Sequence, residues 1–107
     1  MSQEILYTVK GPKMLEDMTW EELSEVLKET DTVLLPVGST EQHGPHLPLA
    51  TDTIQIVEIA RQTVARLAKE GITVVAGPTI PFGVAPYHMP FAGTISLRSS
   101  TLDALIK

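Results

Sequence analysis

Residues 33–76 carry the pattern that most narrows the fold. An apolar run, Val33–Val37, is followed by a polar loop, a long stretch of helical periodicity, a glycine and a second apolar run, Ile72–Ala76. The helical stretch begins at Asp52 or Thr53 and continues to about Glu70. It places Ile56, Ile59, Ala60, Thr63, Val64 and Leu67 on one face. Gly71 is its expected C-terminal stop. Strand, helix, strand in this order predicts a right-handed parallel crossover. The fold class expected is therefore α/β, a parallel sheet with a mixed edge, flanked by helices, with a βαβ core at about residues 32–76.

The flanks fit this frame. Residues 1–16 hold a short apolar-rich run, Ile5-Leu6-Tyr7-Thr8-Val9, then Gly11-Pro12, and read as an arm or edge strand. Thr19 and Glu22 match a capping box, and Trp20, Leu23, Val26 and Leu27 form an apolar helical stripe through about Thr30. Glu21, Glu22, Glu25 and Glu29 read as a solvated helix face, and Met14 and Met18 as packing residues. Ile95-Ser96-Leu97 reads as a short strand. The last nine residues open a helix, with Ser100 and Asp103 as a capping-box-like start.

Two loops concentrate the chemistry. The loop 38–52 packs Glu41, His43, His46 and Asp52 between the first strand and the long helix. Open α/β sheets place their active sites where strands empty into such loops. Glu41 and His43 are two apart, so an extended backbone would send both side chains to one side and Gln42 to the other. Gln42 is accordingly read as structural. Oxygen and imidazole donors together suit zinc or manganese. Each residue also has a plainer use: Asp52 as a helix N-cap, Glu41 as an exposed charge, either histidine as a solvated or turn-stabilising group. Gly38, Gly44, Pro45 and Pro48 restrict the path of the loop, as a preorganised site requires. The second loop, 77–93, is rich in Pro and Gly and too long for idle linkage. It offers Tyr87 and His88, with a surface position and a site position equally open for His88. Phe82, Met89 and Phe91 read as packing.

The stretch Pro36-Val-Gly-Ser-Thr-Glu-Gln-His-Gly-Pro-His-Leu-Pro-Leu-Ala-Thr-Asp52 resembles the signature of the creatininase (creatinine amidohydrolase) family. Pro81-Phe-Gly-Val-Ala-Pro-Tyr-His88-Met-Pro-Phe-Ala-Gly-Thr-Ile-Ser-Leu97 is similar to that family's second segment, a His ahead of a Phe-x-Gly-Thr run. The resemblance runs from about Met18 onward. It implies a three-layer α/β/α domain and a hydrolase with two divalent metal ions, zinc and/or manganese, acting on a C–N bond of a cyclic amide or formamide. It implies that Glu41 and His43 take one metal each and that Asp52 bridges. Two cations about 3.5 Å apart can share and acidify a water and clamp the oxyanion formed at an attacked carbonyl. In this reading Tyr87 and His88 bind substrate and His46 supports a ligand from behind. The resemblance also implies later Asn-Gly-His and His-Ala-Gly-Glu segments that these residues do not include. The chain is thus expected to be the N-terminal portion, truncated, of a single creatininase-like domain.

Composition restricts the alternatives. A net charge of −5 with no basic cluster argues against nucleic acid and anionic membranes as partners. The absence of cysteine excludes a disulfide framework and a thiolate metal site. No basic n-region or membrane-length apolar run is evident, so a cytoplasmic location is expected. Other expectations are a small-molecule amide substrate and, for a full-length chain, a homo-oligomer. Two further readings stand beside the amidohydrolase: a deformylase of a pyrimidine nucleotide or a peptide-trimming enzyme on the same fold, and a non-catalytic fragment.

Overall fold

Two short strands pair in parallel where the sequence placed two longer ones. In the computed structural model, which describes residues 8–107, β1 is Val33–Leu34 and β2 is Val75–Ala76, in register Val33 to Val75 and Leu34 to Ala76. The helices are α1 (Trp20–Val26), α2 (Thr51–Lys69) and α3 (Ser99–Ile106). Single 3-10 turns lie at Leu15–Asp17 and Pro86–His88. The chain is α/β, with a parallel two-stranded sheet and helices. Most of the expected N-terminal run, Ile5 to Tyr7, lies outside the described residues. No helix among the described residues is long and apolar enough to cross a membrane.

The chain divides into two compact units. One takes residues up to Pro36 together with Glu58–Pro78; the other takes Val37–Val57 with Thr79–Lys107.

In the first unit β2 has backbone partners on both sides. Gly77 N–H donates to Leu34 O at 2.7 Å, and Ala76 N–H donates to Lys13 O at 3.0 Å, beside a parallel bridge from Met14 to Ala76. Val75 and Ala76 are consequently fully buried. Met14, Ala60, Val64, Val74 and Ala76 form the core, with Leu34 and Leu67 packed against it. Ala60, Val64 and Leu67 follow the helical i, i+4, i+7 spacing, so the apolar seam of α2 is narrower than the sequence suggested. Ile59, one position off that seam, is 59% exposed. Gly71 ends α2 as expected: at φ 79° it lets Ile72 N–H reach Leu67 O and its own N–H reach Ala68 O.

α1 departs from expectation in two ways. Thr19 Oγ1 does cap the helix by accepting from Glu22 N–H at 3.2 Å. The Glu22 carboxylate, however, is buried rather than solvated. It accepts from Val9 N–H at 2.9 and 3.1 Å and from Lys13 Nζ at 2.9 Å. Burial by itself would raise its pKa; the Lys13 hydrogen bond, the Val9 N–H and the Lys13 charge outweigh that and lower it. Trp20, expected on the apolar stripe, is 69% exposed, because it opens the helix while Val26 closes onto the core.

The second unit is held by backbone bonds between its two sequence segments. Val37 and Ile80 form a parallel bridge, and Gly38 N–H donates to Ile80 O at 2.8 Å. The run Val33–Val37 is therefore interrupted at Leu35 and Pro36; Pro36 has no N–H to contribute to a ladder. Ile95–Leu97 contributes one bridge, Ser96 to Gly83, rather than a strand. α3 begins at Ser99 with Arg98 as N-cap and no side-chain capping bond, so the proposed Ser100–Asp103 box does not form.

Candidate metal centre

Asp52 sits in the first turn of α2, not at its N-cap. The turn before it is tight: Thr51 is buried, and its hydroxyl donates to Pro48 O at 2.6 Å. Local backbone geometry thus sets Asp52 at a helix start, where the dipole favours a carboxylate. The loop ahead of it closes through Glu41 N–H to Leu49 O at 3.2 Å. Gly93 presses on this closure, because a Cβ there would collide with the Leu49 side chain.

Glu41, His43 and Asp52 converge. One donor atom from each lies within 4.8 Å of the others, and all three side chains are half-buried. His43 Nδ1 lies 3.1 Å from the Glu41 carbonyl oxygen, and Nε2 lies 3.0 Å from Asp52 Oδ1. The carbonyl can only accept, so Nδ1 carries a proton. In the neutral ring Nε2 is then a lone pair set against a carboxylate oxygen. Two facing acceptors are tolerated only with a proton or a cation between them. The surroundings favour a proton there: the bond to the Glu41 carbonyl raises the His43 pKa, burial opposes it, and Asp52 and the Glu41 carboxylate add to the rise. A divalent cation satisfies the same demand. Ligand atoms at about 2.1 Å from one ion, at tetrahedral or octahedral angles, stand about 3.0–3.4 Å apart, so the His43–Asp52 spacing and the O, N, O donor set fit a metal.

The second loop meets the first. Thr40 Oγ1 donates to Pro81 O at 2.8 Å, Ile95 N–H donates to Thr40 O at 2.9 Å, and Gln42 N–H donates to Thr94 Oγ1 at 3.3 Å. Ala85 N–H to Ser96 Oγ and Leu97 N–H to Gly83 O, both 2.9 Å, tie the second loop to itself. His88 is thereby brought to the cluster, its Nε2 3.8 Å from Glu41 Oε2. Tyr87, beside it, is 90% exposed. His46 is exposed, outside the grouped donors, with its ring beside Gly44. Phe91 and Met89 are each about half exposed.

The sequence alone reads Gln42 as structural, on the far side of the segment, and does not single out Thr94. An extended segment would turn Gln42 away from Glu41, but residues 39–44 form no ladder, and the Gln42 amide reaches His88 Nδ1 at 2.9 Å. Thr94 is buried and serves the Gln42 backbone. Its place in the Phe-x-Gly-Thr run was the available signal.

Residues 16–107 match the Creatininase family, described as creatinine amidohydrolase. The chain belongs to the creatininase family. A mycofactocin precursor peptide peptidase of Mycobacterium tuberculosis (strain CDC 1551 / Oshkosh) is 40% identical over 88 residues, 78% of this chain and 35% of that protein. A 3-dehydro-scyllo-inosose hydrolase of Thermotoga maritima is 38% identical over 91 residues, 83% of this chain and 28% of its own. The chain thus spans about a third of the length of these creatininase-family relatives. Among solved structures, a manganese creatininase aligns with a TM-score of 0.76 at 24% identity, over 91% of this chain and 38% of that one. A Zn-Zn type mutant creatininase aligns with a TM-score of 0.76, over 87% and 36%. At that identity the structures speak to the fold.

Proposed function

We propose that this creatininase-family chain contributes metal-holding residues to a hydrolase that cleaves a C–N bond. The observation that carries the reading is the grouping of Glu41, His43 and Asp52, with one donor atom from each within 4.8 Å of the others. Glu41 and His43 would each hold one of two divalent ions, manganese or zinc, with Asp52 shared between them. The metals of the neighbouring creatininase structures support that choice. When bound, such ions supply Lewis acidity toward a carbonyl oxygen and acidify water.

The Glu41 carbonyl keeps the His43 proton on Nδ1, leaving Nε2 as the ligating atom. The start of α2 holds Asp52 rigidly against it. Tyr87 and His88 would bind substrate, and His46, whose ring lies beside Gly44, would support the loop that carries His43. Residues 1–107 form the N-terminal portion of one creatininase-like domain in this reading.

The substrate proposed is a small amide, with the C–N bond in a cyclic amide or formamide. A peptide amide is the second reading, favoured by the identity to peptide peptidases. The test is calorimetric titration of the purified, chelator-treated protein with Mn²⁺ and Zn²⁺, followed by assay on creatinine, small formamides and short peptides. Saturable binding lost in Asp52→Ala supports the site. Heats identical in the wild type and Asp52→Ala reject it.

A further inference from the structure

The Gln42 side chain is engaged at both ends of its amide. Gly44 N–H donates to its Oε1 at 2.9 Å, and its Nε2 lies 2.9 Å from His88 Nδ1. The first bond orients the second. A flipped amide would set its NH₂ against the Gly44 N–H, donor against donor. Gly44 holds φ 77°, a conformation that turns its N–H toward the Gln42 amide oxygen. Gln42 Nε2 is therefore a donor and His88 Nδ1 its acceptor. A neutral imidazole that accepts at Nδ1 carries its proton on Nε2. That nitrogen is the one facing Glu41 Oε2, at 3.8 Å.

We propose that Gln42 is a positioning residue that locks His88 in the Nε2–H tautomer, so that His88 turns its one N–H toward the Glu41 carboxylate. The separation of 3.8 Å is longer than a hydrogen bond and within ion-pair range, so the N–H acts on the Glu41 carboxylate through its dipole. Both ring nitrogens are then accounted for. The Nδ1 lone pair is used by Gln42 and Nε2 bears a proton, so His88 is not a further metal ligand in this arrangement. The donor holds one Glu41 oxygen and leaves the other for a cation, an outer-shell arrangement that tunes ligand orientation. The functional weight of this inference rests on the metal reading above, whereas the tautomer is a property of the metal-free chain.

Nitrogen-15 NMR of the ring nitrogens tests it directly. The chain has three histidines, and a His88→Asn variant assigns the signals. In metal-free protein with the ring neutral, His88 should show a protonated Nε2 and a bare Nδ1. Gln42→Glu keeps an acceptor for Gly44 N–H and removes the donor, so Nδ1 should become protonated. A wild-type His88 protonated at Nδ1, or a spectrum unmoved by Gln42→Glu, overturns the lock. Gln42→Met removes both polar ends without adding charge and should weaken Mn²⁺ binding about 10-fold. Unchanged affinity in that variant, with the tautomer as expected, overturns the role toward Glu41. If no metal binds to the wild type, the metal reading fails while the tautomer result still decides the lock.

Discussion

His43 Nε2 faces Asp52 Oδ1 at 3.0 Å while the other nitrogen of the same ring faces the Glu41 carbonyl. The carbonyl claims the ring's proton, so the neutral ring must turn a lone pair toward a carboxylate. That conflict is what a cation resolves, and it makes Asp52 the most informative position to alter. Asp52→Asn supplies an N–H to the same lone pair. The expected outcome is at least a 10-fold loss of Mn²⁺ affinity by titration, with metal-free stability kept or raised at pH above the elevated His43 pKa, where the ring is neutral, and lowered below it, where the variant loses the ion pair.

The same pair makes stability and metal binding respond to pH in opposite directions. The His43 pKa is raised above 6.5 in the folded chain. Its contribution to metal-free stability is therefore fully present below the unfolded value and is lost as pH rises through the higher folded value. Metal must displace that proton, so Mn²⁺ affinity should increase over the same interval. Urea melts and metal titrations across pH 6–9, in wild type and His43→Asn, read both trends. Loss of both in the variant is expected.

In the first unit the Lys13–Glu22 pair is the polar element most sensitive to change. Lys13→Met leaves a buried carboxylate with only the Val9 N–H. It should destabilise the chain by about 1–3 kcal/mol, measured by urea unfolding. The Glu22 pKa is lowered from 4.5. Its contribution is present above 4.5 and is lost as pH falls through the lower folded value, so the wild-type advantage over Lys13→Met should shrink in acid.

Two glycines at positive φ should respond differently to alanine. Gly93, at φ 85°, has the Leu49 side chain in the way of a Cβ; Gly11, at φ 100°, has nothing within 4 Å. Gly93→Ala should cost about 2–3 kcal/mol and Gly11→Ala about 1 kcal/mol. Because Leu49 O also receives Glu41 N–H, Gly93→Ala should additionally weaken metal binding, and Gly11→Ala should not.

The residues themselves determined the elements whose causes are local. The apolar seam through Ala60, Val64 and Leu67, the stop at Gly71 and the Thr19 cap all follow from periodicity or from a single backbone requirement. The parallel pairing of residues 33–34 with 75–76 followed from the crossover between them. The grouping of Glu41, His43 and Asp52 was also foreseeable, since a short, Pro- and Gly-restricted loop returns the chain to the helix that bears Asp52.

Other features were decided only by residues distant in sequence. Glu22 looked like one more charge on a wet helix face until Val9 and Lys13 enclosed it. Gln42 looked structural until the second loop placed His88 Nδ1 within reach of its amide, a contact across 46 residues. Both cases have one physical reason. A polar side chain takes its role from the partner that replaces water, and when that partner comes from another segment, no local periodicity encodes it.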